Sequence, residues 1–300
     1  MRNTDTFKQY IWLVDTIRIS RIISLKRIQK LWIEDDLNDG KPLSRTTFHR
    51  LKIAIEDMFG IHIDCDNQHQ YFISNPETLR DNSTQNWMLQ TLTVNNVLID
   101  SLSIKDRLVL EEVPAGMEYL PIIIKALKNN KVLCMGYKKF TDTDGYVTHI
   151  QPYCLKMFRQ RWYLLGRSER KNDKLAIYAL DRFTNLEETE ASFEPDPSFD
   201  AESYLKDFFG VFIGGNEQPT HIVLRAYGKM IPLLRTLPKH HSQKEIATEK
   251  DYSDFEYHLT PTFDFKQEIL KEGSDLEVIE PASLRDEIKA SLSNSLNRYQ

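Results

Sequence analysis

Two sets of side chains in this 300-residue chain have the types and spacing for chemistry with anions. The first is Arg45, Thr46, His49, Arg50 and Lys52, gathered in the run SRTTFHRLK. Guanidinium and ammonium groups pair with phosphates, and Arg, Thr and His also donate to base edges in a DNA major groove. The second is Tyr137, His149, Tyr153, Tyr163, Arg167 and Arg182. Aromatic rings stack on bases and guanidiniums fork onto phosphates, so this set suits a nucleotide or a single strand.

Other chemistry finds little support. The chain carries no GxSxG, HExxH, Walker A or GxGxxG motif. His240 and His241 are adjacent, so in a strand they would face opposite ways and make poor co-ligands. Asp142, Asp144 and Gly145 resemble the start of a calcium loop, but no bidentate carboxylate follows at the needed spacing. No catalytic residue, metal or cofactor is therefore expected. Three scattered cysteines (Cys65, Cys134, Cys154) form no ligand cluster and predict buried thiols in a reducing cytoplasm. The first residues lack a secretory hydrophobic segment, and no run approaches the roughly 18 apolar residues of a membrane span.

Net charge is −5, which argues against general nucleic-acid binding, but the charge is unevenly spread. Residues 17–52 hold nine Lys/Arg against four Asp/Glu, and residues 156–171 hold six against one. These are two basic islands in an acidic chain.

The elements that must position the first island are three helices and a hairpin. Phe7, Tyr10, Ile11, Val14 and Ile17 recur at helical spacing. A second helix is expected from Ser24 to before Gly40, through Leu25, Ile28, Leu31 and Trp32. Ser44 is placed to cap a third, in which Phe48, Leu51, Ile55 and Met58 form a core stripe. At 100° per residue, Arg45, Thr46, His49 and Arg50 lie opposite that stripe, with Lys52 on its flank. IHIDCDNQHQYFIS then reads as a hairpin. That order predicts a winged helix-turn-helix at residues 1–75 that binds double-stranded DNA; a helical cap with solvated basic residues is the alternative. Residues 76–119 read as a helical connector, with apolar spacing through Trp87, Leu92 and Leu98.

For the second island, an initial helix and four or five short strands over 120–193 predict a small, strongly bent sheet or barrel. Strict alternation sends Arg161, Tyr163, Leu165 and Arg167 to one face and Trp162, Leu164 and Gly166 to the other. It groups His149, Gln151, Tyr153 and Leu155 on one strand, and Tyr178, Leu180 and Arg182 on another. The alternative is a half-buried sheet whose edge arginines pair with Asp181 and Glu169. SFEPDPSFD, with two prolines and no apolar rhythm, marks the start of a linker, taken as residues 194–216. Residues 217–300 show β-α-β-β-α-β order, a ferredoxin-like α+β pattern closed by a helix with a Leu284, Ile288, Leu292 stripe. The fold class is α+β multidomain.

RWYLLGR followed by YALDRF, with HIQPY before them, resembles the signature of WYL-domain transcriptional regulators. The resemblance implies a winged helix, a connector, an Sm-like small β-barrel (the WYL domain) and a C-terminal extension. It also implies a homodimer whose WYL domain senses a nucleotide or nucleic-acid ligand. On that pattern Tyr153, Tyr163, Arg167 and Arg182 match binding positions and His149 a polar one, while Ala179 stands where members often carry arginine. A non-catalytic adaptor gripping RNA or a protein partner is the competing function, one with no need for the Arg45–Arg50 face.

Overall fold

A computed structural model of the chain describes residues 3–35, 37, 41–79, 84–100, 115–141, 143–213 and 218–300, with backbone alone at 3–5, 84 and 95–100. Leu98, Gly40, Asp142 and residues 101–114 of the connector thus fall outside the described side chains. Two compact units, Met1–Leu110 and Glu111–Gln300, each have their own core.

The first unit holds α1 (Asn3–Ser20), β1 (Ile23–Ser24), α2 (Leu25–Glu34), α3 (Arg45–Phe59), β2 (Ile63–Cys65), β3 (Gln70–Ile73) and α4 (Thr84–Asp100). Ile11, Val14 and Ile17 of α1 meet Ile28 and Trp32 of α2 and Phe48, Leu51 and Ile55 of α3 in one buried cluster. Both later helices start on a serine cap: Ser24 Oγ accepts from Arg27 N (3.3 Å) and Ser44 Oγ from Thr47 N (3.0 Å), satisfying backbone donors that the helix leaves free. Helix α3 stops at Gly60, whose left-handed φ of 63° suits a residue without a Cβ. Phe59, not Met58, completes its buried stripe, and Met58 is half-buried. The strands form an antiparallel sheet in the order β1-β3-β2, with Ile23 opposite Tyr71 and Ile63 opposite Ile73. Leu89 of α4 is buried in the same core.

The second unit opens with α5 (Leu120–Asn129) and a five-stranded antiparallel sheet. Its strands are β4 (Lys131–Tyr137), β5 (Tyr146–Phe158), β6 (Arg161–Ser168), β7 (Lys174–Ala179) and β8 (Phe183–Ser192), ordered β7-β6-β5-β4-β8. Its inner face buries Leu133, Met135, Tyr137, Ile150, Leu164 and Tyr178 against Ile123 and Ala126 of α5. The strand expected through LDRF ends at Ala179. Leu180–Arg182 is a 3-10 turn, and β8 runs on as a separate strand beside β4.

After α6 (Ala201–Leu205) come β9 (Thr220–Tyr227), α7 (Met230–Thr236), β10 (Lys244–Thr248), β11 (Tyr252–Leu259), α8 (Phe263–Lys271), β12 (Leu276–Glu280) and α9 (Ala282–Leu296). The four strands form an antiparallel sheet ordered β10-β11-β9-β12, whose apolar face packs on α7, α8 and α9. Leu284 and Ile288 are buried there, whereas Leu292 is 47% exposed, so the expected stripe ends one turn early. Phe158, at the end of β5, meets Phe209 edge-on at 6.0 Å and packs on this second core. The long strand β5 therefore serves both sheets. Among the described residues no helix is long and apolar enough to cross a membrane, and no group of three His, Cys, Asp or Glu could hold a metal.

Candidate functional sites

Cap and stripe together fix which way α3 turns. With Phe48, Leu51 and Ile55 buried, Arg45, Thr46, His49 and Arg50 are exposed and Lys52 is half-buried. Beside them is a cleft of about 610 Å3 between α3, the start of α2 and the β2–β3 hairpin. Lys26, Arg45, His49, Lys52, Gln68 and His69 line it, and no carboxylate does. The hairpin tip is held from within: Asp66 Oδ1 accepts from Gln68 N and Gln70 N, both at 2.8 Å. Sequence reasoning missed Lys26 and His69. The signal for Lys26 was its place two residues after the Ser24 cap, in the first turn of α2.

Cys65 also lines this cleft and is exposed, against the expectation of buried thiols. Its strand is too short to carry the alternation begun by Ile61 and Ile63, both fully buried. Cys134 and Cys154 are half-buried, and burial pushes the Cys154 thiol up to about 11.

The second set does not form one face. Register places Cys134 opposite His149 and Tyr137 opposite Tyr146, so Tyr137 and His149 point to opposite sides of the sheet. Tyr137 is 5% exposed, meets Tyr178 edge-on at 5.2 Å, and its hydroxyl accepts from Ala179 N at 3.4 Å. Burial raises its pKa from the usual phenol value. It is a core residue.

A bulge between Pro152 and Cys154 breaks the expected alternation of β5. His149 and Gln151 share a face with Arg167, but beyond the bulge Leu155 pairs with Leu164 on the core side. Tyr153 is the extra residue. Its ring lies under the Arg167 guanidinium, 5.4 Å from ring centre to Cζ, within reach of a cation–π contact. Gly166 lets β5 come this close, since a Cβ there would strike the Gln151 carbonyl and the Ile150 side chain. A cleft of about 290 Å3 opens beside His149, Gln151, Arg167, Glu169 and Thr189. The structure thus brings His149, Tyr153 and Arg167 together.

Tyr163 and Arg182 form a separate group. Tyr163 is half-buried, and its phenol pKa is raised, first by burial and against the pull of Arg161. Arg182, in the 3-10 turn, stacks its guanidinium 4.0 Å above the Phe140 ring. Much of the basic island is already paired: Arg161 with Asp181 (3.6 Å), His149 with Glu169 (3.0 Å) and Arg167 with Asp196 (3.6 Å). The Nε atoms of Arg167 and Arg182 are buried and make no hydrogen bond among the described residues. Lys156, on the same face as Tyr163, donates to the Gly210 carbonyl, so the segment after α6 covers that end. His240 and His241, expected to diverge in a strand, lie in a turn with ring centroids 4.1 Å apart.

Residues 118–188 match the WYL domain family and residues 218–296 the WCX domain family. Among solved structures, the chain resembles proteasome accessory factor B/C (PafBC) of Arthrobacter aurescens at 18% identity and a TM-score of 0.33. That match covers 81% of this chain and 39% of that one, so the chain spans about two fifths of PafBC. It also resembles a CRISPR Cas-related protein at 12% identity and a TM-score of 0.41, over 89% of this chain and 76% of that one. No curated protein matches the chain.

Proposed function

We propose that this chain, which carries a WYL domain at residues 118–188 and a WCX domain at residues 218–296, is a WYL-domain transcriptional regulator that binds duplex DNA with its first unit and an anionic ligand with its WYL sheet. The observation that carries the first half is the cleft beside α3, where Lys26, Arg45 and Lys52 meet polar His49, Gln68 and His69 without a carboxylate. A face of that composition attracts phosphates from any direction and leaves donors for base edges. The order of three helices and a sheet hairpin supports a winged helix-turn-helix, with α3 in the major groove and the β2–β3 hairpin as the wing.

In the second unit, the strand order β7-β6-β5-β4-β8 supports an Sm-like barrel, and β10-β11-β9-β12 a ferredoxin-like WCX domain. The ligand reading rests on His149, Tyr153 and Arg167, with Tyr163 and Arg182 along the same sheet; a nucleotide or a single strand has both the phosphates and the rings they suit. Tyr137 contributes packing only. The working form is a homodimer presenting two copies of α3 to two half-sites, and ligand binding changes DNA affinity through the arrangement it favours.

The test is duplex binding by the wild type and by Arg45→Ala/Arg50→Ala. Both side chains are exposed, so folding is retained. Loss of two phosphate contacts lowers the slope of log affinity against log salt by roughly two. Unchanged affinity and slope in the double variant would overturn the duplex reading.

A further inference from the structure

The segment read as a linker lies against the sheet. Phe193 and Phe199 flank Tyr153, with centroids at 5.8 and 4.9 Å, the latter edge-on at 85°. Between them, Asp196 directs Oδ2 to within 3.6 Å of Arg167, and its backbone N–H donates to the Tyr153 hydroxyl at 3.4 Å. Oδ1 of Asp196 accepts from Ser198 N (3.0 Å) and Ser198 Oγ (2.6 Å), which holds the carboxylate in place. Pro195 and Pro197 stiffen the backbone on either side. Asp200 then caps α6 by accepting from Ser203 N at 2.7 Å. A stretch without helix or strand is thereby fixed by two rings, an ion pair and three hydrogen bonds.

We propose that residues 193–200 are an acidic strap that occupies the Tyr153–Arg167 site as an internal stand-in for its ligand, so that a phosphate-bearing strand binds by displacing Asp196. This rests on the ligand reading given above. The strap supplies one group of each kind that a nucleotide would bring: phenyl rings against Tyr153 and a carboxylate facing Arg167. It is also built to be displaced. Arg167 and Asp196 keep 38% and 42% side-chain exposure, and pairs so exposed are held weakly. A single carboxylate competes well with a monoanion and poorly with a run of phosphates, which selects for polyanions. Because the strap joins β8 to α6, its release frees the connection between the two sheets.

The experiment is fluorescence anisotropy of full-length protein with a fluorescein-labelled oligothymidylate at low and moderate salt. It compares the wild type with Asp196→Asn, Glu194→Gln and Arg167→Ala. Asparagine keeps the side-chain acceptor for Ser198 and the backbone donor to Tyr153, so the strap's fold survives and only its charge goes. Asp196→Asn should bind about three- to five-fold tighter at low salt, and the gain should shrink as salt rises. Glu194→Gln makes the same charge change at an exposed neighbour and should leave affinity unchanged; Arg167→Ala should weaken binding. In the wild type, saturating oligonucleotide should speed amide exchange across 193–200. Asp196→Asn binding no tighter than the wild type, or no tighter than Glu194→Gln, would overturn the strap and leave the ligand site standing. Binding by none of the four proteins would overturn both.

Discussion

Glu268 joins the two sheets of the second unit, and Glu268→Gln should be the most revealing single change for their junction. Its side chain is 7% exposed; Oε1 accepts from Lys239 Nζ at 2.6 Å and Oε2 from Arg159, in the turn between β5 and β6. Lys239, 11% exposed, is also held by Glu272 at 2.8 Å. Removing one partner from a buried pair costs about 3–5 kcal/mol, chiefly because the other charge is stranded. Here Glu272 still compensates Lys239, so the expected loss is nearer ~2 kcal/mol. For a unit of this size that lowers Tm by roughly 4–8 °C.

The dependence on pH gives a second check. Burial alone would raise the pKa of Glu268, but its bond to Lys239 and the charges of Lys239, Lys271 and Arg159 outweigh burial and hold it below the usual glutamate value. A depressed folded-state pKa contributes stability that is complete above the ordinary glutamate pKa and is lost as pH falls through the lowered one. The gap between wild type and variant should therefore be widest near neutrality and close in acid. Urea unfolding at a series of pH values measures it. A gap under about 0.5 kcal/mol at neutral pH, in the range of ordinary surface substitutions, or one that persists unchanged in acid, would refute the ion-pair account.

Two further predictions concern the sites. Cys65 should be the first thiol to react with a disulfide reagent and should be shielded by bound duplex, because it is exposed in the cleft beside α3; Cys154, pushed up to about 11 by burial, should react slowly with or without DNA. Equal labelling of Cys65 with and without duplex would remove the cleft from the interface. Gly166→Ala should destabilise the second unit by about 1–3 kcal/mol, as overpacking does, because the added Cβ meets Ile150 and the Gln151 carbonyl. Wild-type stability in that variant would mean that β5 and β6 do not approach as closely as described.

The N-terminal face could be read from the sequence because its rules are local. A serine cap sets where α3 begins, and helical periodicity sets which residues turn outward. Three features of the second unit obey non-local rules. The bulge at Tyr153 shifts the phase of β5 by one residue, which alternation cannot anticipate, and it turns Leu155 to the core side, away from the face assigned to it. Tyr137 looks like a polar-face residue by type, yet the pairing of β4 with β5 turns it into the core. The strap has linker composition, and its ordering comes from rings and an ion pair distant in sequence. Strand β8 went unrecognised because FTNLEETEAS is a mostly polar edge strand with three glutamates and with only Phe183 and Leu186 buried.

The central claim is that one molecule joins a duplex-binding face to a ligand-binding sheet. The most direct measurement is the affinity of full-length protein for a duplex selected from a random pool, with and without saturating single-stranded oligonucleotide. Coupling predicts a shift of about five-fold or more that Arg167→Ala abolishes. An identical duplex affinity in both conditions, with each ligand shown to bind, would contradict it.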